Sequence, residues 1–341
     1  ERPRLRVTIR VSPNWFDMND DLSFKDWGTY DYVKNAHAKG IKVHPRLVGP
    51  NYAGWNAAGI FGDPAKRQII IDNLNKLIQD YKNHGAPLDG INLDFEAIGP
   101  DATNGYTQIV KEMAASVKAQ GLVFSIDVPG LTYSNPTSVW SGGFDFDALG
   151  AISGVDYIII MSYDWTYGAP KSYVRSTLAY AVQHLPKNKI LLGVPLYGRD
   201  YVFDSKNGET TPYGVLRPYG KYYYLNALTF INASGANPKS VWDDELALTR
   251  VIYSRPDGSQ HIMFLEDSNS LRVKLDLANE FGAAGMAAWR FFNEDPGIWQ
   301  VIGEKMGKVA VAPTPTPVPK PQLPSKPPVP PAPSAAPVEQ R

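Results

Sequence analysis

Short apolar runs alternate along the chain with longer segments of helical periodicity. The runs are six to eight residues long, which is the length of a buried strand. Between two of them, residues 63–85 begin with Asp63 before Pro64 and end at Gly85, the usual start and stop signals of a helix. Such alternation predicts parallel strands joined by crossover helices. The strand-like runs are LRVTIRV (5–11), IKVHPRLV (41–48), GINLDF (90–95), LVFSIDV (122–128), VDYIIIM (155–161), KILLGVPL (189–196) and GAAGMAAW (282–289).

The alternation predicts an α/β fold, and at this length it favours a closed (β/α)8 TIM-type barrel. Only seven runs are present, so we expect the eighth strand to lie before Glu1, or the first run to close the barrel irregularly. The run HIMFLED (261–267) follows the turn SRPDGSQ (254–260), which predicts a hairpin. We therefore expect a small α+β insertion, at about residues 200–267, before the last strand.

The end of the chain has a different composition. Residues 313–341 contain 12 of the 29 prolines. Such a segment cannot bury a core, and it predicts a disordered, polyproline-like tether. We therefore expect a catalytic barrel over residues 1–308 and a Pro-rich tail over 309–341.

Composition narrows the possible partners. The chain has 341 residues, with 34 Lys and Arg against 34 Asp and Glu, and this balance argues against nucleic acid or an anionic membrane as a partner. No apolar stretch approaches the roughly 20 residues of a membrane span. The N-terminus shows no signal-peptide pattern. The chain has no cysteine, which excludes disulfides, thiolate metal sites and cysteine nucleophiles.

The sharpest chemical feature is LDGINLDFEAI (88–98). Because side chains alternate along a strand, Asn92, Asp94 and Glu96 share one face. In a barrel that face points inward, and Glu96 comes at the C-terminal mouth, where barrel enzymes carry their catalytic groups. Polar groups buried in a row are costly, so a function is the better explanation.

The residues alone leave three interpretations open. Asp94 and Glu96 could bind a divalent cation with other oxygen ligands. They could instead perform general-acid chemistry, since a neighbouring like charge raises the pKa of one acid and Glu96 is the natural proton donor. The third interpretation is structural, with both acids paired to Arg or Lys inside the barrel.

Four segments together resemble glycoside hydrolase family 18, the chitinase-like family. DGINLDFE (89–96) resembles its DGxDxDxE signature, and MSYD (161–164), GVPLYGRDY (193–201) and GAAGMAAW (282–289) resemble later strands in the family's order. The resemblance covers residues 5–305. FLEDSNSL (264–271) and Asn92 resemble the bacterial spore-germination and cell-wall N-acetylglucosaminidase branch.

The resemblance implies a retaining, substrate-assisted hydrolysis, which is an exception to the two-carboxylate scheme. Glu96 would protonate the glycosidic oxygen and later act as the base for water. Asp94 would orient the acetamido group of the sugar, and Tyr163 would donate its hydroxyl to the same group.

Further residues are expected to bind the sugar by the same resemblance. Trp289 would form the floor under the distorted sugar, because indole faces suit pyranose rings. Asn92 stands where an aspartate is common in chitinases; since an amide cannot share a proton with Asp94, we expect an altered pH profile. The other expected contacts are Asp164, Tyr197, Arg199 and Trp165.

The implied function is hydrolysis of an N-acetylglucosamine-containing polysaccharide, either peptidoglycan of the spore cortex or cell wall, or chitin. The alternative is a chitinase-like carbohydrate-binding protein without significant hydrolysis. We expect no cofactor and no metal, no nucleic acid partner, no membrane span and a monomer. The substrate class implies a secreted or a cell-surface, spore-associated location.

Overall fold

The computed structural model describes residues 8–50, 54–224, 227–228, 231, 238–291 and 294–307; the expected Pro-rich tail therefore lies outside the described residues. Its strands are β1 (Arg10–Val11), β2 (Asn14–Met18), β3 (Phe24–Asp26), β4 (Lys42–Val43), β5 (Arg46–Val48), β6 (Gly90–Asp94), β7 (Val123–Pro129), β8 (Tyr157–Met161), β9 (Ile190–Pro195), β10 (Tyr197–Phe203), β11 (Glu209–Thr211), β12 (Gly214–Tyr223), β13 (Lys239–Asp243), β14 (Leu248–Ser254), β15 (Gln260–Leu265) and β16 (Gly285–Trp289). Its α-helices are α1 (Tyr30–Ala38), α2 (Ala57–Phe61), α3 (Pro64–Asn83), α4 (Thr103–Ala119), α5 (Phe146–Ala151), α6 (Lys171–His184), α7 (Ser268–Phe281) and α8 (Ile298–Met306).

The main sheet contains parallel strands in chain order. Its order is β16-β9-β8-β7-β6-β5-β2-β3, and only β3, which pairs antiparallel to β2, breaks the parallel pattern. The connections between neighbouring parallel strands carry helices α1 to α6, as the alternation predicted. The predicted helix over 63–85 is confirmed as α3, whose N-cap Asp63 accepts a hydrogen bond from the Ala65 amide at 2.8 Å.

The prediction for the first strand was wrong in part. Residues 8–11 of the predicted run 5–11 are described, and their only strand is β1, which pairs with β4 in a separate two-stranded sheet. The strand of the main sheet is β2, which the sequence reading missed. Pro13 separates the two pieces, since proline has no amide hydrogen to give to a ladder. Pro45 splits the second predicted strand into β4 and β5 in the same way.

The main sheet is strongly curved. The Arg46 guanidinium of β5 lies 4.5 Å from the ring centroid of Trp289 in β16, although four strands separate β5 from β16 in the sheet order. A contact between strands so far apart in the order requires a sheet that wraps round. Among the described residues, no ladder joins β16 to β3 or β2, so closure of the barrel is not seen in the pairing itself.

A second sheet is inserted between β9 and β16. It is antiparallel, with the order β11-β12-β10-β15-β14-β13. The predicted hairpin is confirmed, since β14 pairs with β15 and Ser254 stands opposite Gln260. Tyr201 and Phe264 of this sheet pack with Tyr167 from the loop after β8, with ring centroids 5.8 and 4.6 Å from that of Tyr167. The insertion therefore packs against the loop after β8, at the C-terminal end of the main sheet.

In the part of the chain that the structure covers, no helix combines the length and the apolar character that crossing a membrane demands.

Candidate active site

The acidic motif ends β6 at the C-terminal edge of the main sheet. Ile91 and Leu93 are fully buried among the helices, whereas Asn92 and Asp94 take the inward face and are 3% and 1% exposed. Glu96 follows two residues beyond the strand, with its side chain 21% exposed. The motif thus brings one fully buried acid and one partly open acid to the mouth.

The turn that carries Glu96 is fixed by hydrogen bonds from a buried tryptophan. Ala97 adopts a positive φ of 55°, which only a few non-glycine residues do. The indole Nε1 of Trp55 donates to the carbonyl oxygens of Glu96 and Ala97, each at 3.0 Å. Trp55 is buried and packs edge-on against Phe61, so these hydrogen bonds are shielded from water. The backbone of Glu96 is therefore fixed.

Arg46 is the cation at the centre of the site, and sequence reasoning missed it. Its Nε and Nη2 both donate to Oδ2 of Asp94, and Nη2 lies 3.6 Å from Oε1 of Glu96. Register pairs Arg46 with Asn92 on the neighbouring strand. An arginine inside the apolar run 41–48 could have indicated a buried cation. Its partner could not be predicted, because it depends on the register between two strands.

Two carboxylate oxygens in this region have no hydrogen-bond partner among the described residues. They are Oδ1 of Asp94 and Oδ1 of Asp127, both buried. Buried acceptors are normally satisfied, so an unsatisfied one at a mouth is available for a ligand or for water.

The pKa of Glu96 is raised. Burial is the first cause and the negative charge of Asp164 is a second, while Arg46 and Lys221 act in the opposite direction. The sequence reading attributed such a shift to the adjacent acid of the motif. The like charge that acts on Glu96 is instead Asp164, which lies across the mouth. A raised pKa suits a carboxyl group that must hold a proton near neutral pH.

Tyr163 follows β8 and reaches the same region. Burial raises its pKa well above the ordinary value, so its hydroxyl stays neutral and can donate. Its ring lies over Gly193 of β9, where an added Cβ would be 3.1 Å from the ring and 2.5 Å from the carbonyl oxygen of Ile160. A glycine at position 193 is therefore needed for this ring to take its place.

Asp164 is held by three donors from the insertion. The Tyr197 hydroxyl and Arg199 Nη2 donate to Oδ1, the latter at 2.8 Å, and Lys221 Nζ donates to Oδ2 at 2.8 Å. Burial alone would raise the pKa of Asp164, but the hydrogen bonds from Lys221 and Tyr197 outweigh it and the pKa is lowered. Lys221 was missed from the sequence because it comes from a distant antiparallel strand.

The aromatic residues take different positions. Trp289 ends β16 and lies against Arg46, half-buried beside the acids. Trp165 is 54% exposed and stacks on Tyr173, with ring centroids 4.8 Å apart and planes 8° from parallel. Trp165 thus presents one open indole face on the loop after β8.

Asp89, the first acid of the motif, lies away from this mouth. Its carboxylate accepts from Lys42 Nζ and His37 Nε2, each at 2.7 Å, and from the Val43 amide at 2.9 Å. These contacts tie the start of β6 to β4 and α1. The described ranges of the chain hold no group of three or more His, Asp or Glu side chains arranged to bind a metal ion.

The partly open Glu96 and the buried Asp94 lie at the C-terminal ends of parallel strands, where barrel enzymes carry their catalytic groups. Residues 11–294 match the family described as "Glycosyl hydrolases family 18". The match covers more than half of the chain, and the chain belongs to that family.

Individual relatives fit this assignment. The chain is 25% identical over 262 residues to a cortical fragment-lytic enzyme of Bacillus subtilis, covering 73% of this chain and 58% of that enzyme. The spore cortex-lytic enzyme SleL of Bacillus megaterium QM B1551 superposes with a TM-score of 0.74 at 20% identity, over 87% of this chain and 67% of that one. A chitinase from Chromobacterium violaceum ATCC 12472 superposes with a TM-score of 0.72 at 24% identity, over 88% and 92%. These neighbours establish a TIM-type barrel fold, and the chain spans little more than half the length of the first relative.

Proposed function

We propose that the chain is a retaining glycoside hydrolase that cleaves β-1,4 bonds after N-acetylglucosamine, in peptidoglycan or in chitin. The observation that carries the proposal is the pair of acids at the mouth. Glu96 has a raised pKa, and the adjacent Asp94 is fixed by Arg46 with one buried oxygen left without a partner among the described residues. One acid can deliver a proton while the other accepts a hydrogen bond from the substrate.

The proposed reaction has two steps. In the first, Glu96 gives its proton to the glycosidic oxygen as the bond to the anomeric carbon breaks. The carbonyl oxygen of the sugar's own acetamido group attacks that carbon and closes an oxazolinium ring. In the second, Glu96 takes a proton from water as the water oxygen bonds to the anomeric carbon from the face that the leaving group left. The bond between the anomeric carbon and the acetamido oxygen breaks, the acetamido group is restored, and the configuration is retained.

Asp94 and Tyr163 act on the acetamido group. We assign the bare Oδ1 of Asp94 as the acceptor for the acetamido N–H, which turns the carbonyl oxygen toward the anomeric carbon. Arg46 occupies the other oxygen, so Asp94 has a single orientation. The neutral hydroxyl of Tyr163 donates to the acetamido group from another strand. Held in this orientation, the acetamido oxygen takes the place of the second carboxylate as the nucleophile.

The remaining site residues are proposed to hold the sugar chain. Trp289 would lie under the distorted sugar, kept in place by the Arg46 guanidinium. Trp165 offers its open face to a more distant sugar. The contacts proposed from the insertion are Tyr197 and Arg199, grouped around Asp164.

The relatives favour two substrate classes without separating them, since one is named a spore cortex-lytic enzyme and another is a chitinase. We propose a spore-associated, cell-surface or secreted hydrolase that acts as a monomer. We further propose residues 1–308 as the catalytic domain and residues 309–341 as a tether. Mass spectrometry of the reducing ends after incubation with chitooligosaccharides and with purified cortex peptidoglycan would identify the substrate.

The matched variants Glu96→Gln and Glu280→Gln test the acid. Glu280 makes an exposed ion pair with Arg175 and lies on α7. We expect Glu96→Gln to lose at least about 100-fold in rate, the usual minimum for a general acid, while Glu280→Gln keeps the wild-type rate. Turnover retained in Glu96→Gln would contradict the assignment. Glycan binding by the wild-type protein without any turnover would instead support the carbohydrate-binding alternative.

A further inference from the structure

A shallow groove of about 390 Å³ lies outside the catalytic mouth, between helix α6 and the loop that follows β7. Its volume falls in the range of sites that bind small ligands. None of the residues that line it takes part in the reaction described above. Those from the loop are Thr132, Tyr133 and Ser134, and those from the helix include Ser176, Tyr180 and Gln183.

The groove is connected to the mouth through two stacked aromatic rings. Trp165, on the loop after β8, stacks on Tyr173 of α6 with ring centroids 4.8 Å apart. The Tyr173 hydroxyl donates to the carbonyl oxygen of Gly130 at 3.0 Å, where the loop after β7 begins. An added Cβ at Gly130 would lie 2.7 Å from this hydroxyl, so a glycine is needed for the loop to pass close to α6. Tyr173 and Tyr180 lie two turns apart on one side of α6, about 10 Å along its axis.

Two tyrosines give the groove its aromatic surface. Tyr180 is half-buried and is fixed by Phe146 and His184, with ring centroids 5.5 and 4.3 Å from its own. Tyr133 is 64% exposed, and it has no hydrogen bond or ring contact among the described residues. A tyrosine ring offers an apolar face and a polar hydroxyl, which together suit the C–H face and the hydroxyl groups of a pyranose.

The polarity of the lining indicates what kind of ligand fits. The loop and the helix contribute hydroxyl and amide groups, which both donate and accept hydrogen bonds. No Lys, Arg, Asp or Glu is among the described residues of the lining, and its imidazole, His184, lies 3.1 Å from the Asp147 carboxylate. A nucleic acid would need cations, and an apolar helix would need more apolar surface than Ala179 supplies. An uncharged ligand rich in hydroxyl and amide groups fits best.

We infer that this groove is an accessory binding site for the neutral sugar units of an N-acetylglucosamine polysaccharide, outside the cleft in which the bond is cut. The inference rests on the proposed function, because it takes the class of ligand from it. A polymer bound at Tyr133 keeps its other sugars close to the mouth. Rebinding in the cleft after each cut is then an intramolecular event, with a high effective concentration.

The first test compares Tyr133→Ala with Tyr32→Ala, which removes another exposed tyrosine, on α1. Both variants are made in Glu96→Gln, so that the polymer is not consumed. Sedimentation with insoluble chitin and with purified cortex peptidoglycan, as separate arms, gives a Kd for each polymer. Tyr133→Ala should raise the Kd about threefold to tenfold on the polymer that the parent binds, the scale of an aromatic contact, and Tyr32→Ala should not. Equal Kd values for Tyr133→Ala and its parent would overturn the inference.

Filling the groove gives a second test that leaves both tyrosines in place. Ala179→Arg puts a long side chain into the groove, and Ala115→Arg on the exposed side of α4 is the matched control. Alanine and arginine are both good helix formers, so we expect each helix to persist. In the active enzyme, Ala179→Arg should lower kcat/KM most for long chitooligosaccharides and progressively less as they are shortened. An equal loss at every length would place the effect in the cleft and contradict an accessory site.

A probe in the groove separates this inference from the proposed function. The chain has no cysteine, so Gln183→Cys accepts a single environment-sensitive fluorophore, and Gln68→Cys on α3 is the control. Chitohexaose and a soluble cortex fragment are titrated separately. We expect a saturable response at position 183 and none at position 68. No response at 183 to either ligand, or the same response at both positions, would refute the groove. A response at 183 alone, without turnover of any glycan, would support the groove and refute only the proposed hydrolysis.

Discussion

The two sides of the mouth shift the pKa of their carboxyl groups in opposite directions. On the insertion side, Asp164 receives hydrogen bonds from Tyr197, Arg199 and Lys221, and its pKa is lowered. On the barrel side, burial raises the pKa of Glu96, and Arg46 is directed to Asp94 instead. The ionised form of a carboxyl group is thus favoured at Asp164 on one side and disfavoured at Glu96 on the other. The two pKa values differ because hydrogen-bond donors are directed to Asp164 and not to Glu96. This difference distinguishes Glu96, the proposed proton donor, from Asp164.

The largest expected effect is the loss of stability in Arg46→Met, on the barrel side of the mouth. The variant leaves Asp94 buried without its cation, and breaking a buried pair in this way costs about 3–5 kcal/mol in the free energy of unfolding. Adding Asp94→Asn to the same chain should recover part of the loss, because the bare charge is then removed. Chemical denaturation of the single and double variants measures both values. A single variant as stable as the wild type would mean that the pair is not buried as described.

The next effect is a pH-dependent gain in stability in Glu96→Gln. A carboxyl group whose pKa is raised in the folded state contributes stability below its unfolded pKa, and this contribution is lost as the pH rises through the folded value. Replacing Glu96 by an amide removes that loss. We expect a higher Tm than that of the wild type at pH 8, and a difference that vanishes near pH 4. A Tm difference that does not vary with pH would contradict the raised pKa.

A smaller effect is expected from Lys221→Met, on the other side of the mouth. Lys221 lowers the pKa of Glu96, so its removal should move the alkaline limb of kcat/KM to higher pH. The variant should also weaken the stability that ionised Asp164 supplies at neutral pH, a contribution lost in acid as the pH falls through the lowered pKa. With Asp164 partly exposed, we expect this loss to stay below about 1 kcal/mol. A limb that moves the other way would show that Lys221 does not act on Glu96.

The smallest effect should be that of Trp165→Ala. The indole is largely exposed, so the free energy of unfolding should change by no more than about 0.5 kcal/mol. If its open face binds a distant sugar, KM should rise for long oligosaccharides and stay unchanged for short ones. Kinetics with chitooligosaccharides of increasing length measure this, and equal changes at every length would exclude a distant contact.

The parts of the site that were predictable share one property. Asn92, Asp94 and Glu96 interrupt an apolar strand with a period of two, so their common face and their place at the mouth follow from strand geometry alone. The insertion hairpin β14–β15 was predictable for a similar reason, since two runs flank a glycine-containing turn.

The parts that were missed depend on contacts between distant segments. Arg46 stands in a strand whose partner is decided by register, and Lys221 comes from a sheet more than fifty residues after Asp164. The strand β2 was missed because Pro13 interrupts the N-terminal run and NWFDM is not a continuous apolar segment. The origin of the raised pKa of Glu96 was also assigned to the wrong neighbour, since burial and Asp164 become visible only in three dimensions.

The most direct test of the account is the anomeric configuration of the first product. Proton NMR recorded in the first minutes of chitooligosaccharide hydrolysis, before mutarotation, distinguishes the two anomers. A substrate-assisted reaction through Glu96 and Asp94 predicts that the β-anomer forms first. The α-anomer as first product would contradict the account, because it requires direct attack by water and no participation of the acetamido group.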